Sequence, residues 1–126
     1  MKALTIKEPW ASLIIMGYKK YEFRTWKTKY RGKILIHTSQ NFEKGYVKTF
    51  EKYNLKLKSG YIIGEAVLTD CILVDKEMND KLVKEDIFVY GNSDHTGIYA
   101  WKLENVITYN QPTKAKGKLG IWNYEE

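Results

Sequence analysis

The run Gly60-Tyr61-Ile62-Ile63-Gly64-Glu65-Ala66-Val67-Leu68-Thr69-Asp70-Cys71-Ile72-Leu73-Val74 is the longest apolar stretch in the chain and is rich in β-branched residues. Read with a period of two, Ile63, Val67 and Leu73 lie on one face, and Ile62, Ala66, Leu68, Ile72 and Val74 on the other. Both faces are apolar, which describes a central strand covered on both sides, with Gly64 as the place where it bends. A strand of this kind needs partners in the same sheet, and the flanking sequence supplies them.

Upstream, Met1 to Ile6 alternates weakly as a short opening strand. Glu8-Pro9 starts a helix that Gly17 ends, with Trp10, Leu13 and Ile14 on one face. Lys20 to Trp26 has a period of two: Tyr21, Phe23 and Thr25 point one way, and Lys20, Glu22, Arg24 and Trp26 the other. This pattern predicts a strand with one core face and one charged, solvated face. Lys33 to Thr38 reads as another strand. Residues 41–53 read as a helix through Phe42, Tyr46, Phe50 and Tyr53, weakened by Gly45.

Downstream, Asp75 to Glu85 is a helix with Met78 and Leu82 on one face, and Tyr90 to Gly97 is a polar loop. Ile98 to Thr108 and Gly120 to Tyr124 return to strand character. Five or six mostly antiparallel strands with two or three peripheral helices make an α+β fold with a small curled or closed sheet.

The 126 residues predict one domain spanning 1–126, and 44% hydrophobic content excludes a disordered chain. A single cysteine, Cys71, excludes an internal disulfide and any Cys-based zinc site, and its apolar setting predicts a buried thiol. Charged residues throughout the first twenty positions exclude a secretory or membrane-spanning start, so a cytoplasmic location is expected. The +6 net charge is unevenly distributed. Residues 1–60 carry 14 Lys/Arg against 4 Asp/Glu, whereas residues 61–126 carry 7 against 11. A basic half is thus joined to an acidic one, and a polyanion would be drawn to the former.

That basic half holds the densest chemistry: Gly17-Tyr18-Lys19-Lys20-Tyr21-Glu22-Phe23-Arg24-Thr25-Trp26, then Tyr30-Arg31-Gly32, then His37-Thr38-Ser39. Glu22 and Arg24, two residues apart on one strand face, stand about 7 Å apart, too far for an ideal bidentate pair. Their partners are expected on a ligand or a neighbouring strand.

These residues, with Pro9-Trp10-Ala11, Ile34-Leu35-Ile36-His37, Gly64-Glu65, Gly97-Ile98-Tyr99-Ala100-Trp101, Pro112 and Gly117-Lys118-Leu119-Gly120-Ile121-Trp122, resemble the ASCH domain family, a branch of the PUA-like superfamily. The resemblance spans nearly the whole chain and implies a small β-barrel with a cleft that binds RNA or a nucleotide-like ligand, with no cofactor. It would place Lys19, Glu22 and Arg24 in the cleft and Trp26, Tyr30 and Arg31 at its rim. Cations suit phosphate, Trp26 or Tyr30 suits base stacking, and Glu22 suits an exocyclic amine.

The resemblance also implies an alternative, a small amidohydrolase or nuclease acting on a modified nucleoside or RNA in the same cleft, with Lys19 and Glu22 as the catalytic pair. Some similar proteins use a Thr nucleophile in a matching Gly-x-Lys-x-x-Thr-x-Arg stretch. Here Glu22 stands at the Thr position, which removes the hydroxyl an acyl-enzyme needs. A third reading is an interaction module that docks an acidic protein.

Three further residues are candidate ligand contacts. Glu65, flanked by Ile63 and Val67, is expected to have a raised pKa or to pair with Arg24. His37 alternates with Leu35 and either packs or reaches the cleft, and Ser39 either caps the next helix or contacts phosphate. Ser93, Asp94 and His95 read as loop residues, because neighbours in a turn cannot form a triad. Trp101 and Trp122 read as core, and Lys114 to Lys118 as a solvated turn. No metal-ligand spacing is present.

Overall fold

The computed structural model describes residues 1–125. In chain order it contains β1 (Lys2–Glu8), α1 (Trp10–Ile15), β2 (Tyr21–Arg24), β3 (Gly32–Phe42), α2 (Lys44–Val47), a 3-10 segment (Lys48–Tyr53), β4 (Tyr61–Leu73), α3 (Lys76–Glu85), α4 (Ile87–Tyr90), β5 (Tyr99–Lys114) and β6 (Ile121–Asn123). The strands form one six-stranded sheet in the order β2-β5-β4-β3-β1-β6. Every neighbouring pair is antiparallel except β1 and β3, which run parallel with Ala3 opposite Leu35 and Thr5 opposite His37.

The apolar stretch is indeed a central strand, β4, between β3 and β5. Its first half is buried on both faces through Ile62, Ile63, Ala66 and Leu68, whereas Leu73 at its end is exposed. The expected bend is present as register shifts against β5 on either side of Gly64. A side chain at Gly64 would strike the Ile107 carbonyl and come within 2.8 Å of the Ile15 side chain, so this close approach of backbone requires glycine.

The expectation of a closed barrel is corrected. The sheet curls, but β2 and β6 are its two free edges and do not pair. β6 is three residues long and covers β1 only from Lys2 to Leu4, so β1 beyond Leu4 is left unpaired on that side. A closing ladder needs a continuous partner strand, and this edge has none. The gap is spanned instead by a side chain: Arg24 Nη2 of β2 donates to the Thr5 carbonyl of β1 at 2.7 Å.

The helical expectation for residues 41–53 also changes. Asn41 and Phe42 belong to β3, and the remainder is a turn of α-helix followed by 3-10 helix, broken at Phe50 with φ −106° and ψ 15°. Packing decides this over periodicity: Phe50 is fully buried against Trp10 and Tyr53. α3 begins where expected, its first turn capped by Asp75, whose carboxylate accepts from Met78 N at 2.8 Å. α4 was not anticipated; it fills the stretch between the expected helix, which ends at Glu85, and the polar loop from Tyr90. Asp86 caps it, accepting from Phe88 N and Val89 N, and the chain around it packs beside Leu13 and Phe50.

Trp101 and Trp122 are core residues, as expected. Cys71 is free but only half-buried, because the second half of β4 leaves the core.

Candidate functional site

α1 ends at Ile15 with Met16 as its C-cap, and Gly17 takes φ +85°, which turns the chain back so that the Tyr18 and Lys19 amides both bond to the Leu13 carbonyl. The turn drives the Lys19 side chain inward, where it is 5% exposed. Its Nζ donates to the Tyr21 carbonyl at 2.6 Å and to Glu22 Oε1 at 3.4 Å, and lies 4.9 Å from the Phe23 ring centroid. Burial pushes the Lys19 ammonium below its usual pKa, with Glu22 opposing and Arg24 adding to the shift.

Glu22 joins Lys19 to Arg24. Its Oε2 accepts from Arg24 Nε at 3.2 Å and sits 3.0 Å from Nη2, while the same Nη2 reaches Thr5 O. The expectation that Glu22 and Arg24 would find partners elsewhere is therefore met by Arg24, through Thr5 of β1, and corrected in that the two also pair with each other. The long guanidinium stem folds back along the strand and places two nitrogens on one carboxylate oxygen. The expectation of a solvated charged face holds at Lys20 and Trp26, which are exposed, and is corrected at Glu22, which is 9% exposed.

This chain of charges forms part of a cleft of about 430 Å³ at the open seam of the sheet. Thr5 and Lys7 of β1, Lys19, Glu22, Phe23 and Arg24 at β2, Ser39 of β3, Glu43 and Lys118 to Gly120 before β6 line it, together with Trp10, Val89, Asn92 and His95. Lys7 is paired with Glu43 at 3.1 Å. Lys118 is exposed and makes no ion pair among the described residues. The lysine-rich turn thus contributes one residue to the cleft mouth.

Behind Thr5 lies a second chain of hydrogen bonds. His37 Nε2 is 2.6 Å from the Ala115 carbonyl, which can only accept, so this nitrogen carries the proton. In the neutral ring Nδ1 is then an acceptor, and it meets Thr5 Oγ1 at 3.0 Å. Trp122 Nε1 donates to the same hydroxyl at 3.0 Å. His37 is fully buried and faces the cavity adjoining the cleft rather than the cleft itself.

Of the residues singled out in the sequence, Lys19, Glu22, Arg24 and Ser39 meet in the cleft. Trp26, Tyr30 and Arg31 do not line it. Trp26 is 44% exposed with the Arg24 guanidinium 5.5 Å from its ring, and its carbonyl accepts from Trp101 Nε1. The Tyr30 hydroxyl donates to the Lys33 carbonyl, and Arg31 donates to the Thr28 and Tyr30 carbonyls. Glu65 faces away from Arg24: it accepts from the Tyr109 hydroxyl at 2.6 Å and pairs with Lys33 at 3.3 Å. The Tyr109 bond holds its carboxyl below the usual range, the opposite of the desolvated acid expected from its apolar neighbours.

Two cleft residues were missed as loop residues, Asn92 and His95. The His95 ring stacks on Phe23 at 3.8 Å with 2° between planes, and its backbone amide donates to Asn79 Oδ1. The Tyr90 hydroxyl, accepting from the Lys20 amide at 2.8 Å, ties this segment to β2, and burial pushes its pKa up to about 12. His95 is 7% exposed, and burial, then the Lys19 charge, lower its pKa. A polar loop gives no periodic signal for such burial; the one clue was a histidine following two turn-forming residues.

The model of the ASCH domain matches residues 4–113. The chain belongs to the ASCH domain family. Among solved structures it is similar to the ASCH protein from Zymomonas mobilis, with 16% identity, a TM-score of 0.59, and coverage of 90% of this chain and 72% of that one. Two mutant proteins of the same ASCH protein match with 16% and 17% identity and TM-scores of 0.55 and 0.58, covering 90% of this chain and 74% and 72% of theirs. No curated protein matches the chain. At these identities the structural likeness establishes the ASCH fold. No helix among the described residues is long and apolar enough to cross a membrane.

Proposed function

We propose that this ASCH domain binds RNA or a nucleotide-like ligand by admitting one unpaired nucleotide into the seam cleft. The observation that carries the reading is the convergence, in one concavity of about 430 Å³, of Lys19, Arg24 and Lys118 with the Trp10 and Phe23 rings. Cations beside aromatic rings serve a phosphate and a base together, and a concavity of this size admits a splayed nucleotide but not a duplex. The basic half of the chain supplies the floor, so its field favours approach of a polyanion to the same face. Association of the ASCH family with RNA agrees with this.

Fluorescence anisotropy with single-stranded and duplex RNA of one sequence tests the proposal. The single strand should bind more tightly, Arg24→Ala and Lys19→Ala should weaken it, and Lys118→Ala should lower the salt dependence by about one counterion. Equal affinity for an acidic peptide, or unchanged RNA affinity in all three folded variants, would sink it.

One observation favours a hydrolytic second reading. The hydroxyl absent at Glu22 is available at Thr5, which lines the cleft and is hydrogen-bonded to a histidine held by the Ala115 carbonyl. In this reading Thr5 Oγ1 attacks the acyl carbon of an acylated nucleoside amine, its proton passes to His37 Nδ1, and the nucleoside amine leaves with a proton. Water then frees the acyl group as a carboxylic acid. Release of free cytidine from an N-acylated cytidine, lost in Thr5→Val, is the expected result; release equal to the buffer blank rejects it.

A further inference from the structure

We propose that Asn92 and His95 form a base-edge subsite in this cleft, built to receive a nucleobase that carries an exocyclic amine. The inference rests on the nucleotide-binding reading and adds which part of the nucleotide is read, and by what.

Buried polar atoms in folded proteins are almost always hydrogen-bonded, and an orphaned one costs stability. Among the described residues only Asn92 Oδ1 and His95 Nε2 are buried side-chain polar atoms without a protein partner. Both belong to residues that line the cleft holding Lys19, Glu22 and Arg24. The His95 ring is fixed on Phe23, and its amide is fixed by Asn79, so the orphaned nitrogen is held in place. A rigid ring that lines a cleft and keeps one buried nitrogen unused is the arrangement expected of a preorganised contact.

The chemistry of the missing partner follows from the two atoms. Asn92 Oδ1 accepts only. The Tyr90 carbonyl beside the His95 ring also accepts only, so with Nε2 unpartnered the proton of the neutral ring belongs on Nδ1, and Nε2 is an acceptor. Burial and the nearby Lys19 charge oppose a second proton. Glu22 adds a carboxylate to the same wall. Three acceptors in one cleft call for a group bearing several N–H bonds in a plane. The amino group of adenine, cytosine or guanine supplies two, whereas uracil offers one N–H between two carbonyl oxygens, which would face these acceptors unpaired. The flat faces of such a base suit the apolar Trp10 and Val89 side chains of the same lining.

Titration calorimetry of the protein with AMP, CMP, GMP and UMP, repeated with Asn92→Leu and His95→Phe, tests this. His95→Phe preserves the stacked ring and removes only the nitrogens. The wild-type protein should bind at least one of the three amino-bearing nucleotides about tenfold more tightly than UMP, as expected for one or two buried hydrogen bonds. Each variant should bring that ratio close to one. In parallel, the imidazole ¹⁵N resonance of His95 Nε2 should move on saturation with the preferred nucleotide. Equal binding of all four nucleotides, a ratio unaltered in both variants, or an unmoved Nε2 resonance in the bound state overturns the subsite and leaves the binding reading intact. No binding of any nucleotide or RNA overturns both. Should His95→Phe fail to fold, Asn92→Leu carries the same comparison.

Discussion

Lys19, Glu22 and Arg24 spend their polar atoms on one another and on the Tyr21 and Thr5 carbonyls, whereas Asn92 and His95, lining the same cleft, each keep one polar atom without a protein partner. The first group carries charge and is largely satisfied; the second is neutral and is not. Charge draws attention in a sequence, yet a charge already paired inside the fold has less left for a ligand. In this cleft the charged chain holds the seam together and sets the local field, and the neutral pair has unused hydrogen-bonding capacity.

The sharpest way to break that contrast is Glu22→Ala. It would leave the ammonium of Lys19 and the guanidinium of Arg24 buried without their shared counter-ion, and loss of one partner from a buried network costs about 3–5 kcal/mol. Urea denaturation should show it as a lowered midpoint with an unchanged slope. A loss below about 1 kcal/mol would mean that the charged chain is not the internally compensated unit described above.

Arg24→Met should cost less, about 1.5–3 kcal/mol, since it removes charge-assisted hydrogen bonds to Glu22 and Thr5 but leaves Lys19 opposite Glu22. Because Arg24 spans the gap between β2 and β1, hydrogen exchange should also quicken along β2 more than along β4. Uniform exchange would remove its role as a clamp.

His95→Phe should cost little at pH 7, about 1 kcal/mol, because it deletes the unpartnered Nε2 and one contact of Nδ1 with the Tyr90 carbonyl and keeps the stack on Phe23. A loss as large as that of Glu22→Ala would show that His95 is satisfied and structural.

The smallest effect is one of pH. The folded-state pKa of His95 lies below 6.5, so between that lower value and 6.5 the unfolded chain binds a proton that the folded chain does not. This group's contribution is fully present above 6.5 and is lost as the pH falls through that window, with a slope of at most about 1.4 kcal/mol per pH unit. His95→Phe should flatten that part of the stability profile. A parallel profile in wild type and variant would contradict the assignment of a buried neutral ring.

Periodicity and composition were strong enough to read β4, α1, α3 and the core tryptophans. Gly64 announced the bend in β4, Glu22 and Arg24 were legible as neighbours on one strand face, and the resemblance to the ASCH family added Lys19 to them. Less legible was anything that depends on the path of the chain between elements. Asn92 and His95 lie in a turn without hydrophobic period, about seventy residues from Phe23 in sequence, and only the packing of α4 against β2 brings the ring onto it. Glu65 was misjudged because its partner Tyr109 comes from the neighbouring strand, and no pattern within β4 discloses the register.

The sequence by itself determined the ASCH family, through motifs that agree in order along the chain, and the α+β class, the central strand and the basic half, through local spacing and composition. The tertiary structure alone decided that the sheet stays open, that a guanidinium spans the seam, and that two neutral side chains are left with unused hydrogen-bonding capacity inside the cleft. Those are matters of which residues meet across long separations and whether every polar atom finds a partner when they do, and no run of adjacent residues contains that information.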